Sequence, residues 1–386
     1  MSWKNVALGE LCEVLDSKRK PITKKDRTTG IYPYYGATGI VDYVGNFIFN
    51  EKLVLIGEDG AKWDSGDMTA FIADGKYWVN NHAHVIKPLR NRLLDEWLVY
   101  YFYYKDLKEF VTGLTVPKLN QGQLKTIPVP LPPLLIQKEI VSKLDAIFAE
   151  IETATAAAET NAKNAEALYK SFLIELFTRK SDDSKVFNLS DLCLTLHQGL
   201  NTAGEKVKFY DSGFPIIQTR NIDNGIIDVS EKLKFLSNED WEKYKDKFKP
   251  ELGDVFFTNI GTIGKTAIVT NVEDYLIHWN IFKIRPKFNL ITSKFMKLAL
   301  DYLTLSGYFS DRQKGGTVEF VTKKMISEVS LSVPLLKSQI ELTNKNDSIF
   351  EFCEILRESY HKKLNELNML KQSILQKVFS GELVKE

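Results

Sequence analysis

The second half of this 386-residue chain repeats the first half, and this repeat limits the possible folds more than any other feature. A displacement of 202 residues, without a gap, brings identical residues into register over more than sixty positions. The matched pairs include Thr115 with Thr317, Pro132 with Pro334, Gln137 with Gln339, Asp145 with Asp347, and Phe177 with Phe379. The chain therefore consists of two copies of one plan, each with a variable part followed by a uniform tail.

Upstream of the tails the copies match more loosely. LGELCEV (8–14) corresponds to LSDLCLT (189–195) at a displacement of 181, and VLIGEDG (54–60) corresponds to VFFTNIG (255–261) at a displacement of 201. IYPYY (31–35) matches GFPII (213–217). The change of displacement places an insertion of about twenty residues near 230–249, where six lysines and five acidic residues predict a solvated helical excursion.

Both tails carry a heptad pattern. In the first tail the apolar positions are 140, 144, 147, 151, 154, 158, 165, 168 and 172; in the second they are 342, 349, 353, 356, 360, 367, 370 and 374. Each tail follows a proline-rich stop and predicts a helix about 60 Å long. Such a stripe is longer than the face of one small domain, which favours pairing of the two helices as an antiparallel coiled coil over packing of each helix on its own domain.

The variable parts mix strand and helix patterns. Segments 53–57, 82–88, 254–258, 266–270 and 278–286 predict strands, and segments 93–111 and 293–306 predict helices. The predicted fold class is α+β: two globular domains of mixed twisted β-sheet and helices, related by a pseudo-twofold repeat and separated by two long helices. The predicted boundaries are domain one at 1–132, a first long helix at 133–180, domain two at 181–333 and a second long helix at 334–386.

Composition excludes several classes of protein. The 51 Lys and Arg nearly balance the 50 Asp and Glu, so only a local basic surface could bind nucleic acid. The three cysteines form no C-x-x-C pair, which argues against a zinc ribbon or a disulfide framework. The chain lacks a signal-like start and a run of about 18 apolar residues. We therefore expect a cytoplasmic protein that does not enter a membrane.

The segment NIGTIGKT (259–266) resembles the end of a phosphate-binding P-loop. A P-loop needs a glycine at its first position and a helix after the Lys-Thr pair. Here Asn259 takes the first position and a strand-like AIVT follows, so the sequence predicts a glycine-rich hairpin loop and not a nucleotide site.

Polar loops in both copies could bind DNA phosphates or base edges instead, although each could also be an ordinary solvated turn. In the first copy they are the basic segment 17–27, YYGATG (34–39), the loop around 62 and VPKLNQGQL (116–124). In the second they are QTRNI (218–222), the glycine loop and RQKGGTV (312–318). The candidate contact residues are Lys18, Arg19, Lys20, Tyr35, Thr38, Lys62, Trp63, Lys118, Asn120, Gln218, Arg220, Asn221, Asn259, Thr262, Lys265 and Lys314.

Two other features carry less weight. His82 and His84 have the spacing of metal ligands on a strand, but no third ligand has a fitting spacing, so core or hydrogen-bonded histidines are favoured. The aromatic run at 100–104 could stack on bases, although its helical setting places most of the rings in the core. No motif of an active site or of adenine methylation is present, so we expect no catalytic and no metal-binding residues.

The chain resembles the specificity subunits of type I restriction-modification systems over its whole length. The resemblance depends on PLPPLLIQKEIVSKLDAI (130–147), PLLKSQIELTNKNDSI (334–349), the LGEL start, IYPYYGATG (31–39) and GDVFFTNIGTIGK (253–265). The second copy departs at Ser338, Thr343 and Asn344, but the frame is kept.

This resemblance implies a subunit that recognises double-stranded DNA and has no catalysis or cofactor of its own. Each globular domain would be a target recognition domain for one half of a bipartite site, and the coiled coil would set the gap. Two methyltransferase (modification) subunits and restriction or motor subunits would be the partners, and they would carry S-adenosylmethionine, ATP and Mg. The alternative is a non-catalytic scaffold with two protein-binding domains on a coiled coil.

Overall fold

A computed structural model describes residues 3–113, 115, 117–179, 183–230, 232–271, 273–310 and 320–382. The chain forms two compact units. Unit 1 comprises Met1–Thr160 together with Tyr360–Glu386, and unit 2 comprises Asn161–Ser359. Each unit therefore contains a globular part and one segment from each of the two long tails.

Seven α-helices occur in the described residues. They are α1 (Asp95–Tyr104), α2 (Gln121–Thr126), α3 (Leu134–Thr178), α4 (Asn238–Phe248), α5 (Ser293–Leu305), α6 (Lys323–Ser327) and α7 (Leu336–Phe379). The two tails, α3 and α7, are 45 and 44 residues long. None of the helices in the described part of the chain is both long and apolar enough to cross a bilayer.

Unit 1 has two four-stranded sheets and one strand pair. The first sheet has the order β2 (Cys12–Val14), β9 (Ala83–Pro88), β6 (Leu53–Gly57), β7 (Ala70–Ala73). The second has the order β4 (Gly39–Val44), β3 (Thr29–Gly36), β8 (Lys76–Val79), β5 (Phe49–Asn50). The pair is β1 (Asn5–Ala7) with β10 (Pro128–Pro130).

Unit 2 follows the same plan. Its four-stranded sheet has the order β12 (Cys193–Gln198), β20 (Ile281–Pro286), β17 (Val255–Thr258), β18 (Thr266–Ile268). A three-stranded sheet has the order β16 (Lys234–Leu236), β13 (Phe214–Ile217), β19 (Leu276–Ile277). The remaining pairs are β11 (Lys185–Asn188) with β21 (Ser330–Val333), and β14 (Ile222–Asp223) with β15 (Ile226–Ile227).

The matching strand orders confirm the internal repeat in three dimensions. The pairing of Val54 with Ile86 in unit 1 corresponds to that of Val255 with Ile284 in unit 2. The central strands β6 and β17 are completely buried, which explains why their sequences are continuously apolar and do not alternate. The repeat therefore extends from the tails into the sheets, although the sequences there have diverged.

A glutamine at the start of each tail fastens the tail to its globular part. Gln137 is fully buried; its Oε1 accepts from Leu94 N (3.0 Å), and its Nε2 donates to the carbonyls of Arg92 and Pro132 (both 2.8 Å). Gln339 repeats this arrangement in unit 2, accepting from Thr292 N (2.9 Å) and donating to the carbonyls of Leu290 and Pro334. The Pro-x-Leu-x-x-Gln pattern shared by 132–137 and 334–339 is thus a structural clamp.

The two tails pair in opposite directions, as predicted. In unit 1 the early part of α3 meets the late part of α7, where Lys371 lies over the Phe148 ring. In unit 2 the late part of α3 meets the early part of α7, where the rings of Tyr169 and Phe350 are 5.0 Å apart. The chain therefore has the predicted fold class, with two globular parts and an antiparallel helix pair.

The predicted heptad seam is largely correct in the first two thirds of α3 and wrong toward the C-terminal ends of both tails. Leu144, Ala158 and Ala165 are buried, whereas Leu168 and Leu370 are about half exposed. Positions outside the predicted seam are buried in their place: Phe148, Leu173, Leu375, Val378 and Phe379. Unit 1 shows the reason, because Phe379 packs against the rings of Trp97, Tyr101 and Tyr104 on α1. Near its ends, each tail follows the surface of a globular part.

Three local predictions need correction. The helix predicted at 93–111 stops at Tyr104, and residues 278–280 form a loop before β20. The insertion near 230–249 contains α4 as predicted, but one face of α4 is buried through Trp241, Tyr244 and Phe248. Because these rings form a small core with Phe214 and Leu276, the insertion is part of the folded unit.

Candidate nucleic-acid interface

In unit 1, backbone hydrogen bonds hold three polar segments together at one end of the central sheet. Glu58 N donates to His82 O (2.8 Å), and Asn80 N donates to Tyr35 O (3.0 Å). Leu119 N donates to Glu58 O (2.8 Å), which adds the 112–121 loop. The polar loops of the first copy are distant in sequence, and these bonds bring them to a common surface, the loop face of unit 1.

Unit 2 has an equivalent loop face with the same bonds. Asn259 N donates to Asn280 O (3.1 Å), His278 N donates to Ile217 O (2.9 Å), and Val321 N donates to Asn259 O (3.0 Å). Each of these matches one of the three bonds in unit 1. Since two sequences that differ in these loops keep one backbone frame, the frame supports loops whose side chains can vary.

The glycine-rich segment forms a tight hairpin between β17 and β18, as predicted. Thr258 Oγ1 donates to Thr262 O (2.6 Å) and accepts from Lys265 N (2.9 Å), which closes the loop. Gly264 has φ +89°, and an added Cβ would lie 2.3 Å from Thr304. A strand and not a helix follows at Thr266. This geometry differs from that of a P-loop.

A buried charged cluster supports the loop face of unit 1. Asp16, Glu58 and His84 place one ligand-type atom each within 4.8 Å of one another. His84 Nδ1 lies 2.6 Å from Asp16 and Nε2 lies 2.7 Å from Leu119 O. Arg19 and Lys118 both pair with Glu58. No sequence pattern predicts this cluster, because its members come from four distant segments.

The pKa values of both carboxyl groups in this cluster lie below their usual range. Burial alone would raise the pKa of Asp16, but hydrogen bonds with His84 and Val85 N, together with charge interactions with His84 and Arg19, lower it further than burial raises it. Burial also opposes the shift at Glu58, where hydrogen bonds from Lys118 and Arg19 lower the pKa. Both groups are therefore stabilised as carboxylates, and the neighbouring cations supply the compensating charge.

Most predicted contact residues of unit 1 lie on or beside its loop face. Lys18, Lys20, Thr38 and Lys62 are exposed, while Tyr35, Lys118 and Asn120 are half-buried. Asn120 also caps α2 by accepting from Gln123 N (3.0 Å).

Two predictions for unit 1 do not agree with the structure. Trp63 is buried in the core, where its carbonyl accepts from Leu107 N, so its ring has little surface for DNA. The Arg19 side chain is only 13% exposed and is bound by Glu58 and by the Ala83 carbonyl, so it holds the cluster together. Both residues are part of the folded interior beneath the loop face and not of its exposed surface.

The predicted residues of unit 2 divide in the same way. Arg220 and Thr262 are exposed, and Lys265 is partly exposed and paired with Asp223 (2.8 Å). Gln218 is half-buried and forms a reciprocal capping box with Asn221, which is buried. Asn259 is also buried, at 1% exposure, so the contacts predicted for Asn221 and Asn259 are not supported by their placement. Lys314 lies outside the described residues.

Sequence reasoning missed several polar residues of the loop faces. The preference for hydrogen-bonded histidines holds for both His82 and His84, but His82 is 51% exposed and bound to Asp59. In unit 2 the Asn280 side chain lies at the matching place and was hidden by the prediction of a strand from 278. The one available signal in the sequence was that His82 immediately precedes the buried strand β9, where a side chain can lie on the surface.

Comparison with known proteins agrees with this architecture. The family profile described as "Type I restriction modification DNA specificity domain" matches residues 1–160 and 181–368. A putative type I restriction enzyme specificity subunit of Haemophilus influenzae is 28% identical over 369 residues, covering 93% of this chain and 89% of that protein. The specificity subunit of the Escherichia coli K12 enzyme EcoKI is 24% identical over 304 residues, covering 73% and 63%.

Solved structures share the fold. A chain from a structure of a type I R-M system has a TM-score of 0.74 at 20% identity, with 98% of each chain covered. The HsdS subunit from Thermoanaerobacter tengcongensis has a TM-score of 0.56 at 19% identity, covering 98% of this chain and 97% of that one.

Two copies of an α+β unit joined by paired long helices, with loop faces built on a shared frame, define a duplicated recognition protein. The chain belongs to the type I restriction-modification DNA specificity family. Its role is that of the DNA sequence-recognition subunit, which the family assigns to a non-catalytic chain.

Proposed function

We propose that each unit reads one half of a bipartite double-stranded DNA site through its loop face, with the long helices setting the gap between halves. The observation that carries this proposal is the shared backbone frame of the two loop faces, which presents different side chains on equivalent loops. A fixed frame with variable polar tips suits direct readout of bases, because base edges are distinguished by the placement of donors and acceptors.

The charges on the loop faces support contact with DNA. Lys18, Lys20 and Lys62 are exposed in unit 1, and Arg220 is exposed in unit 2. Exposed cations of this kind fix a protein on the phosphate backbone and make its affinity depend on salt. The near-zero net charge of the whole chain agrees with a basic surface confined to part of each unit.

Partner subunits would supply the chemistry that follows recognition. We propose that two modification subunits, which bind S-adenosylmethionine and methylate adenine, assemble with this chain, and that restriction or motor subunits using ATP and Mg join the complex. The solved structure that shares this fold concerns complex assembly of a type I R-M system, which supports a multi-subunit setting.

Methylome sequencing tests the function. Cells that express this chain with its neighbouring methylase gene should show methyladenine at one bipartite motif with a fixed gap, and cells without this chain should not. Absence of any such motif, with a folded and assembled complex, would favour the scaffold alternative.

Arg220 offers a test at one residue. Because its side chain is exposed in the middle of the QTRNI turn, we expect Arg220→Ala to weaken binding by about 1–3 kcal/mol, with the loss depending on the DNA sequence. The measurement is an equilibrium binding titration of the assembled complex on matched and mismatched duplexes. An equal loss on every duplex would assign Arg220 to phosphate contact.

A further inference from the structure

We propose that His82 and Asn280 occupy the same position in the two repeats and are specificity-determining residues, one for each half-site. This inference rests on the proposed function and names the side chains that would read bases at equivalent points of the two loop faces.

The equivalence follows from the backbone. The carbonyl of His82 accepts from Glu58 N (2.8 Å), and the carbonyl of Asn280 accepts from Asn259 N (3.1 Å). Two residues earlier, Asn80 N and His278 N donate to the carbonyls of Tyr35 and Ile217. Each loop is therefore fixed on both sides immediately before a buried strand, β9 or β20. Position 82 in unit 1 and position 280 in unit 2 share a backbone setting fixed by the core.

The His82 side chain is held in one orientation by a neighbour. Its ring is 51% exposed and its Nδ1 is bound to the Asp59 carboxylate, itself 20% exposed. Since a carboxylate accepts, Nδ1 donates to Asp59, which leaves Nε2 as the ring nitrogen free to contact a base. A ring nitrogen held in one orientation suits a base edge in the major groove, where each base pair presents its own pattern of donors and acceptors. Asp59 is a positioning residue in this arrangement.

The Asn280 side chain is also held by a neighbour. A side-chain hydrogen bond with Asn280 partly offsets the lowering of the His278 pKa by burial. Asn259 Oδ1 is buried and accepts no hydrogen bond from the described residues.

Asn280 as a whole is half-buried. An amide that both accepts and donates matches adenine, which presents N6 as donor and N7 as acceptor.

In unit 1 the residue equivalent to Asn259 has hydrogen-bond partners from within the unit. Glu58 occupies the place of Asn259, since both accept at their carbonyls from the following loop, at Leu119 N and Val321 N. The Glu58 carboxylate is bound by Arg19 and Lys118 from within the unit. At the position that matches Lys118, unit 2 has Phe320, which forms the equivalent backbone bridge and has no side-chain donor. The unsatisfied acceptor at Asn259 is therefore specific to unit 2 among the described residues.

The test exchanges the two residues. Full-length variants His82→Asn and Asn280→His are each expressed with the neighbouring methylase gene, and methyladenine is mapped by single-molecule sequencing. We expect His82→Asn to change the preference at one base position of one half-site by about 10-fold, with the gap and the other half-site unchanged. Asn280→His should change the other half-site. His361→Asn and Asn271→His make the same substitutions at exposed positions of α7 and of the loop after β18 and should change nothing.

Each outcome decides a different question. If the wild-type complex produces no bipartite motif, the proposed function fails. If the wild type produces a motif and both exchanges leave every base position unchanged, or weaken all sites equally, the inference about these residues is overturned. If an exchange abolishes methylation, His82→Gln and Asn280→Ser are judged by the same criteria. Loss in those variants too, from complexes that still assemble, assigns the residues to folding and also overturns the inference.

Discussion

Replacing Gln137 tests whether the tail is fastened by hydrogen bonds and not by packing alone. The side chain is fully buried and makes three hydrogen bonds, at 2.8–3.0 Å, to the backbone before α1 and before α3. Each bond contributes about 1 kcal/mol, and truncation to alanine also leaves a buried N–H, two buried carbonyls and a cavity. We expect Gln137→Ala to destabilise unit 1 by about 3–5 kcal/mol. Gln137→Met keeps most of the volume and should still cost about 2–4 kcal/mol.

Hydrogen exchange measured by mass spectrometry separates the two units. At about 1.4 kcal/mol for each factor of ten, a loss of about 4 kcal/mol lowers protection in peptides covering 92–98 by nearly 1,000-fold. Peptides covering 290–296 should not change, because Gln339 and not Gln137 caps that segment. Gln376→Ala, at an exposed position of α7, is the matched control. If Gln137→Met matched that control, the hydrogen-bond explanation would be refuted and the clamp would act through packing.

Three other properties are open to direct measurement. Gly264→Ala should lower the free energy of unfolding by at least about 3 kcal/mol, because Gly264 has a positive φ and an added Cβ would clash with Thr304. Gly261→Ala is the control: its φ is also positive but the space around it is open, so it should cost about 1 kcal/mol. Equal urea midpoints for the two variants would contradict this. The folded state lowers the pKa values of Asp16 and Glu58, so the two carboxylates stabilise unit 1 at pH values above the usual carboxyl range. This stabilisation is lost as the pH falls through the lowered pKa values. Glu58→Gln should therefore flatten the acid dependence of unit 1 stability. The same substitution should cost about 3 kcal/mol at neutral pH, because it removes the buried carboxylate that Arg19 and Lys118 share, and an unchanged denaturation curve would disprove this. Burial raises the pKa of Cys12 and Cys193 to about 12, so iodoacetamide at pH 8 should label them only after unfolding, and rapid labelling of the native protein, read by mass spectrometry, would disagree with the structure.

The sequence carried enough information for the architecture because repeats and heptads are local and periodic signals. The pairs Gln137 with Gln339 and Phe177 with Phe379 needed only a comparison of the two halves. The burial of Leu375 and Val378 could not be obtained in this way, since the ends of a helix follow whatever surface they meet. Periodicity describes the helix, and tertiary packing selects the buried face at each end.

The candidate site was harder to predict because its residues come together only through long-range pairing. Trp63 and Arg19 are residue types that often contact DNA, yet both lie beneath the loop face. Trp63 is in an apolar core, and Arg19 is in an ion pair with Glu58. From the sequence His82 is interpreted as a core or hydrogen-bonded residue, and its side chain is half exposed on the surface. A residue type gives the chemistry that a side chain can perform, and the contacts of distant segments decide whether it is free to perform it.

The division of the chain into units has a consequence for synthesis. Unit 2 is one continuous stretch, so all of its residues are synthesised before the last part of α7 is made. Unit 1 needs that last part, because Val378 O accepts from Trp3 Nε1 (3.3 Å) and Leu375 and Phe379 belong to its core. The first segment of unit 1 therefore waits until its second segment, Tyr360–Glu386, is made. A ribosome that stops near residue 359 would release a chain with a complete second unit and an incomplete first one.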